Sequence, residues 1–353
     1  MDGPPIAPLA VVRPDPRIAA LPKADLHIHQ EWSPRLDRVL AQRMGQSPYD
    51  WQGWAAQLMV ERPPGMPRLR VLSSIFPAPQ EADAVDENFI ARVEDLLEEA
   101  AADGAVLVEV RFGGETALRP NFMALFREAE RRVRARHPRL RAEASFTLIL
   151  WYEPERLERV VQACVHAAGE GLGGIDLLYE PYDTPAEWAT AYRIAERAAA
   201  AGLGITAHAG EFSTANIAAA LRVPGLTRIG HAVHAASDPH LLELLAKKGV
   251  TVECCLSCNV ILGAVSSYEE HPIHRFARYG IPVALGTDDP VQINTTISHE
   301  YAVAHALGFS ETELLAFTRT AVHAAFTTPA RRGELLTELD GWSKGAPYEY
   351  SRP

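Results

Sequence analysis

Basic residues and cysteines are scarce in this sequence. The 34 lysines and arginines are outnumbered by 45 aspartates and glutamates, which gives a formal net charge of −11. A nucleic-acid partner is not expected, because it needs a clustered basic surface. A strongly anionic substrate is disfavoured unless a local basic pocket overrides the average. Four cysteines in 353 residues are too few for a disulfide framework and favour a reducing, cytoplasmic setting.

Targeting and membrane-spanning patterns are also missing. The first 20 residues contain five prolines and predict an extended N-terminal arm. They lack the basic segment and apolar core of a signal peptide. No apolar run approaches the roughly 18 residues that a membrane helix needs, so no membrane contact is expected.

Eight short runs rich in apolar and β-branched residues recur along the chain, with amphipathic helical segments between most of them. They do not alternate strictly, as expected for parallel strands buried on both faces. The predicted strands are residues 24–29, 105–112, 142–150, 174–180, 204–211, 228–234, 250–257 and 281–288. Repeated strand–helix units predict an α/β protein of the (β/α)8 TIM-barrel class.

The alternative architecture is an open doubly wound sheet. Such a sheet usually has a glycine-rich turn after its first strand, whereas the stretch HIHQEWSPR contains no glycine. One barrel domain is therefore expected over residues 21–340, between an arm at 1–20 and a tail at 341–353. Residues 36–82 interrupt the alternation of strands and helices. They predict a partly helical insertion, which lies over the catalytic end of the barrel or forms an ordinary packing subdomain.

Histidines and carboxylates collect at the predicted C-terminal ends of four strands. The stretch ADLHIHQEWSP places His27 and His29 two residues apart, so that in a strand both imidazoles point to the same face. Three later strands end in HAGE, GHAVH and GTDDP. Each histidine alone could be an ordinary structural residue. Together, at the end of a barrel that carries catalytic residues, they predict a metal-dependent active site.

Three imidazoles and one carboxylate suit zinc and leave one position open for water. The predicted ligands of one zinc ion per chain are His27, His29, His208 and Asp288. Glu211 is placed to transfer protons. His231 and Asp289 remain to act on the water and on the developing negative charge.

The motif order resembles that of the adenosine and adenine deaminases of the metal-dependent amidohydrolase superfamily. LPKADLHIH, VEVRF, GGIDL, TAHAGE, RIGHAV, ECCLSCN, HPI and LGTDDP follow one another between about Leu21 and Phe326. The resemblance implies the same four zinc ligands, protonation of purine N1 by Glu211, orientation or activation of water by His231, and a hydrogen bond to Asp289. The implied reaction adds hydroxide to C6 of a 6-aminopurine nucleoside and releases ammonia.

The expected substrate-binding positions differ from the family pattern. Gln30-Glu31-Trp32 follows HxH where the family usually has Leu-Asp/Glu-Gly, and Tyr179 stands where a glycine backbone approaches the purine. The predicted substrate-binding residues are Glu31, Trp32, Tyr179 and Gly210. The expected substrate is a small molecule: an adenosine with an altered 5′ or N6 group, or another aminated heterocycle.

Several alternatives remain open from the sequence. A zinc amidohydrolase that cleaves another C–N bond would need the same side chains, whereas an inactive binding protein would not need an intact catalytic set. CCLSC is a weak second metal motif, and the H-x-E with P-C-x-x-C pattern of another deaminase class is not found. Arg111 is expected in a structural ion pair, with substrate contact as the alternative, and His234 at the rim or just behind the metal ligands. The oligomeric state is not predicted.

Overall fold

The computed structural model describes residues 5–74, 80–179 and 183–343, without the side chains of Trp32 and Gln80. Its eight strands are parallel, and each pairs with the next in chain order. The strands β1 to β8 are Lys23–His29, Ala105–Gly113, Arg141–Ile149, Gly174–Leu178, Gly204–Ala209, Arg228–His231, Thr251–Cys254 and Val283–Leu285. A bridge between Ile28 and Asp288 joins the last strand region to the first. The predicted (β/α)8 barrel is confirmed.

Helices surround this barrel and connect its strands. In chain order, α1 to α17 are Pro16–Ala20, Trp32–Arg43, Trp51–Glu61, Met66–Leu72, Gln80–Asp83, Asp86–Ala102, Phe122–Arg134, Pro154–Ala168, Ala189–Ala200, Ile217–Ala220, Pro239–Lys248, Leu256–Leu262, Ile273–Arg278, Pro290–Ile293, Ile297–Ala306, Glu311–Ala324 and Pro329–Ser343. Short 3-10 helices occupy Gly114–Leu118 and Val233–Ser237.

Helix α6 shows how the apolar pattern of the sequence determines the packing. Phe89, Val93 and Leu96 recur at helical spacing and are fully buried against the barrel. The helix ends just before Gly104, which has a φ of +91°. A residue with a Cβ is strained in that conformation, so this glycine allows the chain to turn directly into β2.

The strand boundaries agree with the sequence within one residue for β1 to β3, but the later strands end early. The predicted ends at 211, 234, 257 and 288 are wrong, and the prediction at 180 falls outside the described residues. β6 stops at His231 because His231 and Ala232 have φ values of +64° and +50°. Asp288 has a φ of +65°. Extended pairing cannot continue through left-handed residues, and these turns place polar side chains at the barrel mouth.

The N-terminal arm lies against the barrel and is not extended throughout. The backbone N–H of Ile6 donates to Glu269 Oε1 (2.9 Å). Residues Pro16–Ala20 form α1, contrary to the expectation of a wholly extended arm. The Asp15 carboxylate accepts from the N–H of Arg17 (2.8 Å), and a proline opens the helix, which together favour a helical turn.

The C-terminal helix α17 continues to Ser343, slightly past the predicted domain end at 340, and residues 344–353 lie outside the described part. Within the described chain, no helix combines enough length and apolar character to traverse a bilayer.

The insertion after β1 contains α2 to α5 and packs against helices that follow later strands. A second hydrophobic cluster joins it to α12 and α14, and its buried members include Trp51, Trp54, Leu58, Leu72, Cys258, Ile261, Leu262 and Val291. Arg68 also donates from Nη1 to the carbonyl oxygen of Ile261 (2.7 Å). These contacts support the predicted placement over the barrel mouth, which stays a prediction.

Candidate metal centre and active site

The C-terminal ends of the strands enclose a cavity of about 340 Å³. Most of the predicted zinc-binding and proton-transfer side chains line it: His29, His208, Glu211, His231, Asp288 and Asp289. His27 is fully buried directly beneath, with its Nε2 3.1 Å from the Nε2 of His208. The structure therefore brings together all seven residues that the sequence nominated for metal and proton chemistry.

The four proposed ligands present their donor atoms at separations that suit one metal ion. His29 Nε2 lies 3.3 Å from both His208 Nε2 and Asp288 Oδ1. His27 Nε2 lies 3.1 Å from His208 Nε2 and 3.7 Å from Asp288 Oδ1. Zinc bonds of about 2.0–2.1 Å place neighbouring donors roughly 3 Å apart, and these four donors leave room for water as a fifth ligand. The donor set fits a zinc ion, and also other divalent metals that accept imidazole and carboxylate.

Two of the imidazoles have carboxylate partners that favour the tautomer that metal binding requires. His27 Nδ1 lies 3.0 Å from Glu253 Oε2, and His208 Nδ1 lies 3.0 Å from Asp176 Oδ1. A carboxylate accepts the Nδ1 proton, which leaves the Nε2 lone pair free for a metal. Burial, followed by the charge of Arg111, holds the pKa of His27 well below its usual range. The neutral, metal-binding form is therefore favoured.

His27 fits beneath the cavity because its neighbouring strands carry glycines there. A Cβ added to Gly230 would lie 2.8 Å from His27 Cε1, and one added to Gly286 would lie 2.7 Å from His27 Cβ. Any larger residue at either position would displace the imidazole. This close approach gives a physical reason for the glycines in RIGHAV and LGTDDP.

Buried arginines hold the two carboxylates that contact the histidines, Glu253 and Asp176. Arg111 donates to Glu253 and lies 3.5 Å from Asp176 Oδ2. Arg228 lies 2.8 Å from Glu253 Oε1 and donates to Glu109. All five side chains are fully buried. The predicted structural ion pair of Arg111 is confirmed, and it fixes the acceptors that orient His27 and His208.

Glu253→Gln should weaken metal binding by about 10–100-fold, the usual effect of losing a partner of a metal-bound histidine. The amide can donate to His27 Nδ1, which would favour the wrong tautomer, and it leaves Arg111 and Arg228 short of a negative charge. Competition with a fluorescent zinc chelator measures the change. Glu130→Gln is the matched control, because Glu130 is equally a buried, arginine-paired glutamate but pairs with Arg127 on α7. Equal zinc affinity in the two variants would contradict this role for Glu253.

Asp288 is held close to the donors by the backbone. Its N–H donates to the carbonyl of His27 (2.7 Å), and its carbonyl accepts from the N–H of His29 (2.7 Å). Burial, followed by the nearby charge of Glu211, raises the pKa of the Asp288 carboxyl to about 8. A divalent cation among these donors would favour the ionised carboxylate.

The proposed proton-transfer groups face the same space. His231 Nε2 lies 3.8 Å from Glu211 Oε2 and 3.7 Å from Asp288 Oδ2. Asp289 lines the cavity at the start of α14. This arrangement can hold a water molecule between histidine and carboxylates and can present Glu211 to a second polar atom of a bound ligand.

Of the predicted substrate-binding residues, Glu31 and Trp32 follow β1. Glu31 lines the cavity, but its Oε1 accepts from the N–H groups of Val291 and Gln292 (2.8 and 3.0 Å). This hydrogen bonding caps α14, so much of the carboxylate's capacity serves the structure. The side chain of Trp32 is outside the described atoms.

The other two substrate-binding predictions concern the β4 and β5 turns. Tyr179 donates to the carbonyl of Glu187 and packs on Trp188, with ring centroids 4.9 Å apart. Its side chain is not among the described cavity-lining groups. Gly210 has a φ of +83°, and a Cβ there would approach Ile217 within 2.8 Å. These contacts support structural roles, while substrate contacts by both residues stay predictions.

Sequence reasoning missed several residues that shape the site. Asp176 and Glu253 orient ligands, although both lie inside motifs that it singled out. Asn259 contacts Glu211 and His231, and His271 contacts Asn259; their motifs, ECCLSCN and HPI, were recognised without a role. No cysteine-only metal group occurs among the described residues, where Cys255 and Cys258 neighbour Asp288. His234, predicted at the rim, is half-buried and absent from the described cavity lining.

A (β/α)8 barrel with this set of donors at its strand ends is the arrangement of a metal-dependent barrel enzyme. The sequence pattern of the adenosine deaminase family matches residues 22–342. An adenine deaminase of Chelativorans sp. (strain BNC1) is 31% identical over 338 residues, which span 90% of this chain and 97% of that protein. The chain belongs to the adenosine deaminase family and is thus a hydrolase that acts on C–N bonds.

Solved structures agree on the fold. The N6-methyl-AMP deaminase of Arabidopsis thaliana superposes with a TM-score of 0.74 at 23% identity and covers 94% of this chain and 99% of its own. An amidohydrolase from Burkhoderia ambifaria with bound Zn gives a TM-score of 0.73 at 20% identity, covering 97% of this chain and 96% of its own. At these identities, the likeness concerns the barrel alone.

Proposed function

We propose that this protein is a zinc-dependent deaminase of an uncharged 6-aminopurine, either a base or a nucleoside with an apolar substituent. The observation that carries the proposal is the placement of four closely spaced metal donors beside Glu211, His231 and Asp289 at one cavity. Family membership and the adenine deaminase relative support the reaction.

His27, His29, His208 and Asp288 would hold the zinc ion. A bound zinc supplies Lewis-acid activation of water, whose pKa falls from 15.7 in bulk to about 7 at such sites. The bound-zinc neighbour of the same fold is consistent with this choice of metal. The lowered pKa values of His27 and His29 and the closely spaced donor atoms are the features of this chain that support it.

The protein side chains then move the protons. Asp289 accepts a hydrogen bond from the attacking water, His231 orients that water, and Glu211 donates a proton to N1 of the purine. Water adds at C6 and gives one proton to Asp289, which passes it to the amino group. The C6–N6 bond breaks as ammonia leaves, the C6 carbonyl forms, and the remaining hydroxyl proton returns to Glu211. The 3.8 Å separation of His231 Nε2 and Glu211 Oε2 is compatible with groups acting on adjacent atoms of one ring.

The cavity lining favours an uncharged substrate. Leu69, Leu72, Ile149, Leu178 and Leu262 form its apolar wall, and no lysine or arginine lies among its described lining residues. The undescribed segments at 75–79 and 180–182 contain no basic residue either. A phosphate buried without a cationic partner loses its hydration uncompensated. An apolar group on N6 or C5′ would instead contact the leucines.

A substrate panel tests the proposal. Adenine, adenosine, a 5′-alkylthioadenosine, N6-methyladenosine, AMP and N6-methyl-AMP are compared with the zinc-loaded protein, with the released amine and the purine absorbance both recorded. At least one uncharged compound should exceed its phosphorylated counterpart in kcat/KM by about 100-fold or more, because about 3 kcal/mol of uncompensated phosphate desolvation is expected. Preference for the nucleotides would overturn the substrate class, and ring opening without release of an amine would overturn the deamination.

A further inference from the structure

Three of the four imidazoles in this site, those of His27, His208 and His231, have side-chain partners at Nδ1, and these partners differ. The proposed ligands His27 and His208 each have a carboxylate at Nδ1, from Glu253 and Asp176 (both 3.0 Å). His231 has instead the side-chain amide of Asn259, with Nδ2 3.1 Å from its Nδ1. A carboxylate at Nδ1 accepts a proton, whereas an amide nitrogen donates one, so the partner decides which ring nitrogen of a neutral histidine carries hydrogen.

The orientation of the Asn259 amide is determined by groups on both sides. The backbone N–H of Ile273 donates to Nδ1 of His271 (3.2 Å). Burial lowers the pKa of His271 to about 3, so this ring is neutral and carries its proton on Nε2. That Nε2–H donates to Oδ1 of Asn259 (3.2 Å), which leaves the amide NH2 directed at the catalytic groups.

The amide NH2 has two hydrogens and two acceptors. Besides His231 Nδ1, it donates to Oε1 of Glu211 (3.2 Å). A carboxyl oxygen on this side supports the same amide orientation independently of His271. Because Oε1 accepts this bond, the proton that Glu211 would transfer resides on Oε2, the oxygen 3.8 Å from His231 Nε2. Asn259 and His271 are both buried, so water competes little for these bonds.

We propose that Asn259, held by His271, is a positioning residue that fixes the proton on Nε2 of His231 and on Oε2 of Glu211. The inference rests on the proposed deamination and refines it. His231 with a protonated Nε2 has no lone pair for a metal, which separates it from the neighbouring ligands. It acts on the attacking water as a hydrogen-bond donor, and the carboxylate of Asp289 is left as the acceptor of the water's proton.

Nitrogen NMR of the zinc-loaded protein with 15N-labelled histidine tests the assignment directly. The shifts of the two ring nitrogens report which one bears hydrogen, and the His231 signals are identified by their loss in His231→Gln. The wild-type protein should show His231 protonated on Nε2. In Asn259→Asp, the new carboxylate accepts at Nδ1, and the proton should move to Nδ1. A wild-type His231 protonated on Nδ1, or an Asn259→Asp variant with an unchanged pattern, would overturn the proposal.

Kinetics provide a second measurement. Asn259→Asp should lower kcat about 100-fold, as expected for loss of one donor to the developing charge, with KM changed less than about threefold. His271→Leu, which adds no charge, should give a mixed tautomer pattern and an intermediate kcat, and His271→Gln should restore both because its amide can still donate to Asn259. Thr318→Val is the control, because it removes a buried, hydrogen-bonded hydroxyl of α16. It should keep the wild-type kcat and the wild-type tautomer of His231. Equal kcat in His271→Leu and His271→Gln would contradict the relay.

The two measurements separate the inference from the proposed function. The NMR assignment needs no turnover. If the wild-type protein deaminated no purine but showed the predicted tautomers, the proposed function would fail and the hydrogen-bond relay would stand. If it deaminated purines with the opposite tautomer on His231, the relay would fail alone.

Discussion

Replacing His208 with alanine should remove the metal and lower kcat/KM by at least about 10⁴-fold. The His208 Nε2 lies within 3.3 Å of two other imidazole donors, so its loss opens one side of the donor set. A zinc site that lowers the pKa of water by about nine units stabilises hydroxide by roughly 12 kcal/mol. No other single group in the site supplies an effect of that size, and elemental analysis with steady-state kinetics measures both losses.

The control for this variant is His137→Ala. His137 is a partly exposed histidine in contact with Glu98 (2.7 Å) and is outside the described cavity lining, so its replacement should leave metal content and kcat/KM unchanged. Full zinc stoichiometry in His208→Ala together with more than a tenth of the wild-type activity would contradict the assigned ligand set.

Metal binding should also release protons from the apoprotein. The raised pKa of Asp288, about 8, means that this carboxyl is mostly protonated near pH 7 and must lose its proton to bind zinc. Titration calorimetry in buffers with different ionisation enthalpies should show roughly 1 to 1.5 protons released per zinc at pH 7, about one from Asp288 and the rest from water at the metal. Below pH 8 the apparent affinity should fall as the pH falls. An affinity independent of pH between 6 and 8 would exclude this coupling.

The ligand positions were predictable from the sequence because each lies beside a short strand with a readable motif. His27 and His29 share one face of β1, and a barrel gathers the ends of its strands at one rim. Glu253 and Arg228 lie inside recognised motifs, but their roles were not predictable, because buried ion pairs between distant strands leave no local pattern. Sequence reasoning also extended β6 and β8 too far, because nothing in composition shows that His231 and Asp288 adopt positive φ.

The contacts of the predicted substrate-binding residues were the hardest to predict. Tyr179 replaces a family glycine, so a changed pocket was a reasonable inference, yet its ring packs on Trp188 and not along the described cavity wall. Glu31 was expected to read the substrate, and it caps α14, the helix that begins with Pro290 just after Asp289. Side-chain direction and partner choice depend on packing between elements distant in sequence, which a motif does not encode.

Glu211→Gln should lower kcat by about 10²–10⁴-fold while zinc content stays at the wild-type level. This range is the usual contribution of a positioned general acid or base. Glutamine keeps an oxygen that can accept the hydrogen bond from Asn259 Nδ2, and it preserves the volume of the side chain in its buried setting. It cannot give a proton to a ring nitrogen. KM should therefore change less than kcat, since the shape of the cavity is retained.

Glu143→Gln is the matched control for this variant, because Glu143 is also buried but pairs with Arg127 and Arg331. It should keep full kcat even if its thermal stability falls. The informative comparison is between Glu211→Gln and His208→Ala: a proton-transfer residue affects turnover with metal retained, whereas a ligand affects both. If Glu211→Gln lost zinc in proportion to activity, Glu211 would belong to the ligand set, and its assignment as a proton-transfer residue would be wrong.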